Sequence, residues 1–192
     1  MRQPKDFEES SLIVKGGADV TKRFRAIALV VALSFLPCAA RADVDIEPEC
    51  RMKNRPPGRC GWCALETLGR HHRIKALSGL VEDHASIANP DDLTALLDKA
   101  KVRYSLQRRG DRDTALLRSA CTQGLGAAVG FRPLHEGAGG HIVTLVSFGE
   151  DTVKVIDSND QDGRVRTMPR ERFLDCWDGF TLVLQPEHTA KK

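Results

Sequence analysis

Residues 141–157 read HIVTLVSFGEDTVKVID, the clearest β signal in the 192-residue chain. His141–Phe148 and Thr152–Ile156 are rich in β-branched and apolar residues, with Gly149-Glu150-Asp151 between them. Two such runs around a short Gly-bearing loop form a hairpin, and a hairpin brings its two ends side by side. A two-residue turn at Gly149-Glu150 sets His141 opposite Ser158. A three-residue loop sets it opposite Asn159, with Asp157 as diagonal neighbour on the same face. Diagonal neighbours lie roughly 7–8 Å apart, within reach of long side chains. His141 and Asp157 are therefore close on local geometry alone. Both also suit the plainer role of polar strand ends, since Asp157-Ser158-Asn159-Asp160 is a cluster of turn formers.

Downstream of the hairpin lie an Asp- and Gly-rich loop, a short helix at Arg170–Cys176 and a last strand at Phe180–Leu184. Upstream, Gly124–Phe131 reads as a buried strand, preceded by a helix that Asp113 caps and that carries Leu116, Leu117 and Ala120. Val102, Tyr104 and Leu106 alternate with polar residues, as a half-buried strand does. Asn89-Pro90-Asp91-Asp92 is a helix start, with Pro in the first turn and acids at the positive end of the dipole. Leu93, Leu96, Leu97 and Ala100 supply that helix's apolar stripe. A helix spans about Gly61–His72, with Trp62, Leu65 and Leu68 on one face and Glu66, Arg70 and Arg73 elsewhere. A shorter helical piece covers Ile74–His84, and residues 43–58 form an extended approach without helical period. Helices first and antiparallel strands later predict an α+β layout rather than alternating βαβ units.

Cys60 sits where this irregular approach enters the first helix, just after Pro56-Pro57-Gly58. Unpaired N–H groups and the dipole at a helix start favour negative charge, which lowers a thiol's pKa. A thiol nucleophile needs an imidazole beside it, and the imidazole needs a third group to orient it; His141 and Asp157 supply both. The oxyanion formed on attack needs donors. The Cys60 backbone N–H is one, and Asn54, the only side-chain amide in the approach segment, is another. Asn54 equally suits a turn residue before the prolines.

Residues 1–42 are a different kind of segment. The basic patch Lys22-Arg23-Phe24-Arg25, the uncharged run Ala26–Leu36 and the small-x-small Ala40-Arg41-Ala42 follow the order of a secretory signal peptide. The apolar run is shorter than the ~20 residues of a membrane-crossing helix, so no stable membrane span is expected after leader removal. Acidic residues Asp6, Glu8, Glu9 and Asp19 are foreign to a leader, and translation is expected to begin near Val20. Of 29 Lys+Arg and 26 Asp+Glu, seven and four lie in the leader, which leaves 22 of each. The exported chain is thus formally neutral and does not call for a nucleic-acid partner; Arg108, Arg109 and Arg112 are interrupted by Asp111 and Asp113. Once Cys38 leaves with the leader, five cysteines remain, and an odd count suggests one free thiol. The other four leave room for zero, one or two bridges, with the pairing among Cys50, Cys63, Cys121 and Cys176 open.

Three blocks together resemble a papain-like cysteine peptidase domain of family 39, the bacteriocin-processing or double-glycine type, in a stand-alone exported form. They are Asn54–Gly69 (NRPPGRCGWCALETLG), Gly140–Asp157 and Met168–Leu184 (MPRERFLDCWDGFTLVL). The resemblance spans most of 54–184. It implies a papain-like fold with N-terminal helices packed on a C-terminal antiparallel sheet, over a domain 54–185 preceded by an extended segment 43–53 and followed by a polar tail 186–192. It also implies hydrolysis of a polypeptide substrate through Cys60, His141 and Asp157, with Asn54 at the oxyanion hole and no cofactor. The family has Gln where this chain has Asn54, one methylene shorter, and no transporter segments follow. Cys63 allows a second alignment as nucleophile, but Cys60 keeps the amide six residues upstream and Leu65 in register.

Three other readings compete. Cys60-Gly61-Trp62-Cys63 is a CxxC at a helix start, as in thiol–disulfide oxidoreductases, but it lacks the preceding apolar strand. Zinc would recruit Cys60, Cys63 and one of His71, His72 or His84; there is no second CxxC, and no metal is expected. A domain of the same fold that binds peptides without cleaving them is the third. His135, in the loop before Gly137–Gly140, is another possible base.

Overall fold

The computed structural model describes residues 43–55, 57–132, 140–160 and 162–186. Residues 1–42, with the expected leader and start site, His135, Gly137–Gly139 and residues 187–192 lie outside the described residues.

The helices are α1 (Cys60–His71), α2 (Leu80–Asp83), α3 (Pro90–Lys99), α4 (Ala115–Thr122) and α5 (Arg170–Cys176). The strands are β1 (Tyr104–Gln107), β2 (Ala127–Phe131), β3 (His141–Phe148), β4 (Thr152–Ile156), β5 (Val165–Pro169) and β6 (Trp177–Leu184). They form one antiparallel sheet in the order β1-β6-β2-β3-β4-β5. The expected α+β class holds. The start of α3 follows its sequence signal: Asn89 accepts from the N–H groups of Asp91 and Asp92, and Asp92 returns a bond to the Asn89 N–H, a reciprocal capping box. At α4 the cap position is Thr114, whose side chain makes no cap bond. Asp113 serves one residue earlier than an N-cap would, accepting from the Ala115 N–H at 2.9 Å.

Hydrophobic layers cover both faces of the sheet. On one, Leu65, Leu68, Leu93 and Leu97 from α1 and α3 pack with Ile142, Val146, Ile156 and Leu182. On the other, Leu117 of α4 and Phe173 of α5 pack with Val129, Val143, Leu145 and Val155. Helix α1 is buried from Cys60 through Gly69, and Glu66, off the face of Trp62, Leu65 and Leu68, is fully buried with them. Its carboxylate accepts from Arg70 and from the N–H groups of Gly79 and Val81. It thereby ties α1 to the start of α2.

The hairpin register departs from both expected turns. Gly149 N–H donates to the Thr152 carbonyl, so the tight turn is Glu150-Asp151, and Phe148 pairs with Val153. A β-bulge between Leu145 and Ser147 then shifts the register by one, so Thr144 pairs with Ile156. Continued along both chains, that register puts position 141 against 159 and makes Asp157 its diagonal neighbour, the outcome expected of a three-residue loop. The bulge also changes which face later residues reach: Val146 lies in the α1 layer and Phe148 in the opposite one. The Val146 carbonyl accepts instead from the Val44 N–H at 2.8 Å.

Two local readings change. Residues 43–53 include a 3-10 turn at Pro48–Cys50, and Val44 and Ile46 are core residues. Strand β5 falls within the stretch read as loop. It is an edge strand, mostly exposed, and an edge strand needs no apolar alternation to pair through its backbone.

Candidate active site

The first turn of α1 is held from both sides. Asn54 Oδ1 accepts from the Arg59 N–H at 2.8 Å, so the amide satisfies one donor at the helix entrance. The Arg59 guanidinium donates to the Val81 carbonyl. Gly61 lets the helix come close to the sheet, since a Cβ there would lie 2.9 Å from the Ala88 Cβ and 3.3 Å from Ile142 Cδ1. Ile142 is the residue after His141. The Cys60-Gly61 pair thus brings the sulfur to the mouth of β3.

His141 Nε2 lies 2.7 Å from Asp157 Oδ1. The same oxygen accepts from the Asn159 N–H at 2.9 Å. The imidazole is also hydrogen-bonded to the Cys60 thiol; with Nε2 turned to Asp157, that bond falls to Nδ1. Thiol, imidazole and carboxylate form one chain.

Burial pushes the Cys60 thiol up. The His141 imidazole and the N–H groups of Ile142 and Gly61 outweigh it, so the thiol lies below its ordinary pKa. Burial works against the His141 imidazolium, but the hydrogen bonds to Asp157 and Cys60 and their charges lift its pKa to about 9. Burial also raises the Asp157 carboxyl, and His141 more than compensates, holding it below the usual range. All three shifts favour a thiolate–imidazolium pair with an ionised carboxylate behind it.

Cys63, one turn along α1, is the opposite case. It is wholly buried, and burial drives its pKa to about 12 despite a hydrogen bond with Ser158. Cys50, Cys60, Cys63 and Cys176 are all free thiols, so no bridge joins the CxxC pair. Of the histidines weighed for metal, His84 stacks on Trp62 with centroids 4.1 Å apart, and His72 Nε2 is bonded to the Leu125 carbonyl.

No family model and no curated protein matches the chain. Among solved structures it is similar to a double glycine motif protease from an AMS/PCAT transporter, crystallised in complex with the leader peptide. The TM-score is 0.55 at 13% identity, covering 77% of this chain and 96% of that one. The fold is that of papain-like cysteine peptidases.

Within that fold the cluster opens onto a groove of about 590 Å³, lined by Asn54, Cys60, Ile87, Arg109, Arg132 and His141 among others. Asn54 is buried, as a tightly held group must be. Its Nδ2 donates to Asn159 Oδ1 at 2.7 Å, and its own N–H to the Ser158 carbonyl. Asn159 is the participant that residue-by-residue reading passed over. Through its side chain and backbone it ties the approach segment to Asp157, and its Nδ2 lies 3.5 Å from His141 Nε2. Its only signal in the sequence is its place two residues after Asp157, where a turn folds back on the carboxylate.

Proposed function

We propose that the chain is an exported cysteine peptidase that hydrolyses peptide bonds with Cys60 as nucleophile, His141 as general acid and base, and Asp157 as the group that orients the imidazole. The hydrogen-bonded run from the Cys60 thiol through His141 to Asp157 carries this reading. The order of basic patch, apolar run and Ala40-Arg41-Ala42 supports export. Among the described residues, no helix is long and apolar enough to cross a membrane.

In this mechanism the Cys60 thiolate adds to the peptide carbonyl carbon. The oxyanion takes donors from the Cys60 N–H and from Asn54 Nδ2, whose second hydrogen is not used by Asn159. The carbon–nitrogen bond breaks as the His141 imidazolium gives its proton to the leaving amine, which leaves a thioester on Cys60. Water then attacks the thioester, passing a proton to His141 and restoring the thiolate. Asp157 keeps the ring in place and stabilises its charge. A double-glycine protease of the same fold is bound to a leader peptide, which supports a polypeptide as the substrate class.

Cys60→Ala is expected to abolish labelling by a thiol-directed peptidase probe, while Cys63→Ala leaves it intact. The low thiol pKa at Cys60 and the high one at Cys63 favour this order. Labelling that survives the first substitution and disappears with the second moves the nucleophile to Cys63.

A further inference from the structure

Arg108, Arg109 and Arg112 are neighbours in sequence, yet the fold sends them in three directions. Arg108 lies 3.7 Å from Asp91 at the surface. Arg112 packs over the Trp177 ring and donates to the Trp177 and Leu174 carbonyls. Arg109 alone turns to the groove that holds Cys60.

Its position is built. Asp178, with its side chain 12% exposed, takes Arg109 Nε at 2.9 Å. Asp178 is itself fixed by the Phe180 N–H at 2.9 Å. It also fills the space over Gly130, where an added Cβ would meet Asp178 Oδ1 at 2.5 Å. With Nε held, the far end of the guanidinium reaches Gly140: Arg109 Nη2 lies 3.3 Å from where a Cβ on Gly140 would stand. Gly140 is the residue before His141.

A second arginine lies on the same side. Phe131 pairs with His141 across β2 and β3, and Arg132 follows Phe131, its N–H held by the Cys176 carbonyl at 2.7 Å. Arg132 is exposed, lines the same groove, and has no ion pair among the described residues. Among the described residues, the one carboxylate lining the groove, Asp157, is engaged by His141. Cationic side chains thus flank the imidazole.

The chemistry of peptide cleavage says which half of the substrate meets them. A general acid has to stand beside the nitrogen it protonates, so the leaving half of the substrate lies on the His141 side of the sulfur. On the peptidase reading above, we propose that Arg109 and Arg132 form a carboxylate-binding subsite for the leaving half. It selects peptides that present an acidic side chain, or a free terminal carboxylate, just after the cleaved bond. Guanidinium groups suit this task because they bind carboxylates through paired N–H donors.

The test uses the full chain and peptidyl vinyl sulfones that differ only in the sulfone arm, which extends to the leaving side: one ends in a carboxylate and its match in a carboxamide. The carboxylate reagent is expected to label Cys60 about tenfold faster, a margin typical of charge-assisted bonds. Arg109→Gln with Arg132→Gln is expected to bring the ratio to about one. Alkylation of that double variant by uncharged iodoacetamide stays unchanged, which shows that its site is intact. Equal labelling by both reagents in the unaltered protein overturns the subsite. If neither sulfone labels Cys60, the peptidase reading falls. The ratio of iodoacetate to iodoacetamide alkylation then tests the arginines by themselves, and a ratio that the double variant does not change overturns the proposal. Arms bearing Glu with an amidated terminus, against Gln with a free one, tell side-chain from terminal recognition.

Discussion

Glu66 and Cys60 lie six residues apart on α1, both buried, and each anchors a polar cluster. Around Glu66 the account is closed: its oxygens meet the Arg70 guanidinium and the N–H groups of Gly79 and Val81. Around Cys60 it is open. His141 and Asp157 keep 24% and 27% of their side-chain surface exposed, and the cluster borders a groove. A buried carboxylate whose partners are a guanidinium and backbone donors holds two helices together. A buried thiol whose partner is a titratable ring, itself backed by a carboxylate at the surface, is set up to exchange protons. The two clusters differ in what completes them, and only the second leaves room for a substrate.

This contrast predicts opposite responses to mutation. Asp157→Asn removes the charge behind His141 while keeping its shape. It is expected to lower peptide-hydrolysis kcat/KM by roughly 10²- to 10⁴-fold, the range of acid–base catalysis, with little change in Tm. A large fall in Tm would place Asp157 with the structural cluster. Glu66→Ala reverses the pattern. It strands the buried Val81 N–H and removes an acceptor from the Gly79 N–H, at a cost of about 1–3 kcal/mol in denaturant unfolding. Cys60 labelling at temperatures where the variant remains folded is expected to be unchanged. A loss of labelling in the folded variant would join the two clusters.

The smallest expected effect separates the two protons of the active cluster. The His141 pKa is raised from 6.5 to about 9, so the folded protein holds that proton more tightly than the unfolded chain. The resulting stabilisation is whole below about 6.5 and is lost as pH rises through about 9. Hydrolysis, which needs the imidazolium, therefore declines above that pH. Alkylation of Cys60 needs only the thiolate, which His141 and the neighbouring N–H groups favour, so it does not decline where hydrolysis does. Coincident profiles would mean that His141 does not supply the proton.

Much of this was legible in the residues because it is local. The Asn89–Asp92 capping box, the α5 span Arg170–Cys176 and the two hairpin strands each rest on signals within a few positions. So does the closeness of His141 and Asp157, since a hairpin joins its own ends whatever the rest of the chain does. What the residues did not disclose shares the opposite property. Glu66 lies off the apolar face of α1, and α2 closing over it is what buries it. Strand β5 carries no apolar alternation because it pairs at an edge through its backbone. Residues 43–53 read as an extended segment, and their place in the core rests on Val44 and Ile46 meeting residues about a hundred positions away.

The sequence by itself determined the α+β order of elements, the helix that opens at Cys60 and the pairing of a histidine with an aspartate at one end of a hairpin. These follow from periodicity, turn chemistry and the helix dipole, which act over a few residues. Only the tertiary structure decided that a bulge at Val146 would set the hairpin register and that Asn159 would link Asn54 to Asp157. It alone carried Cys60 to His141 and separated its thiol from that of Cys63. Each of these depends on burial and on hydrogen bonds between distant segments, and a side chain's pKa is set by the neighbours that folding brings to it.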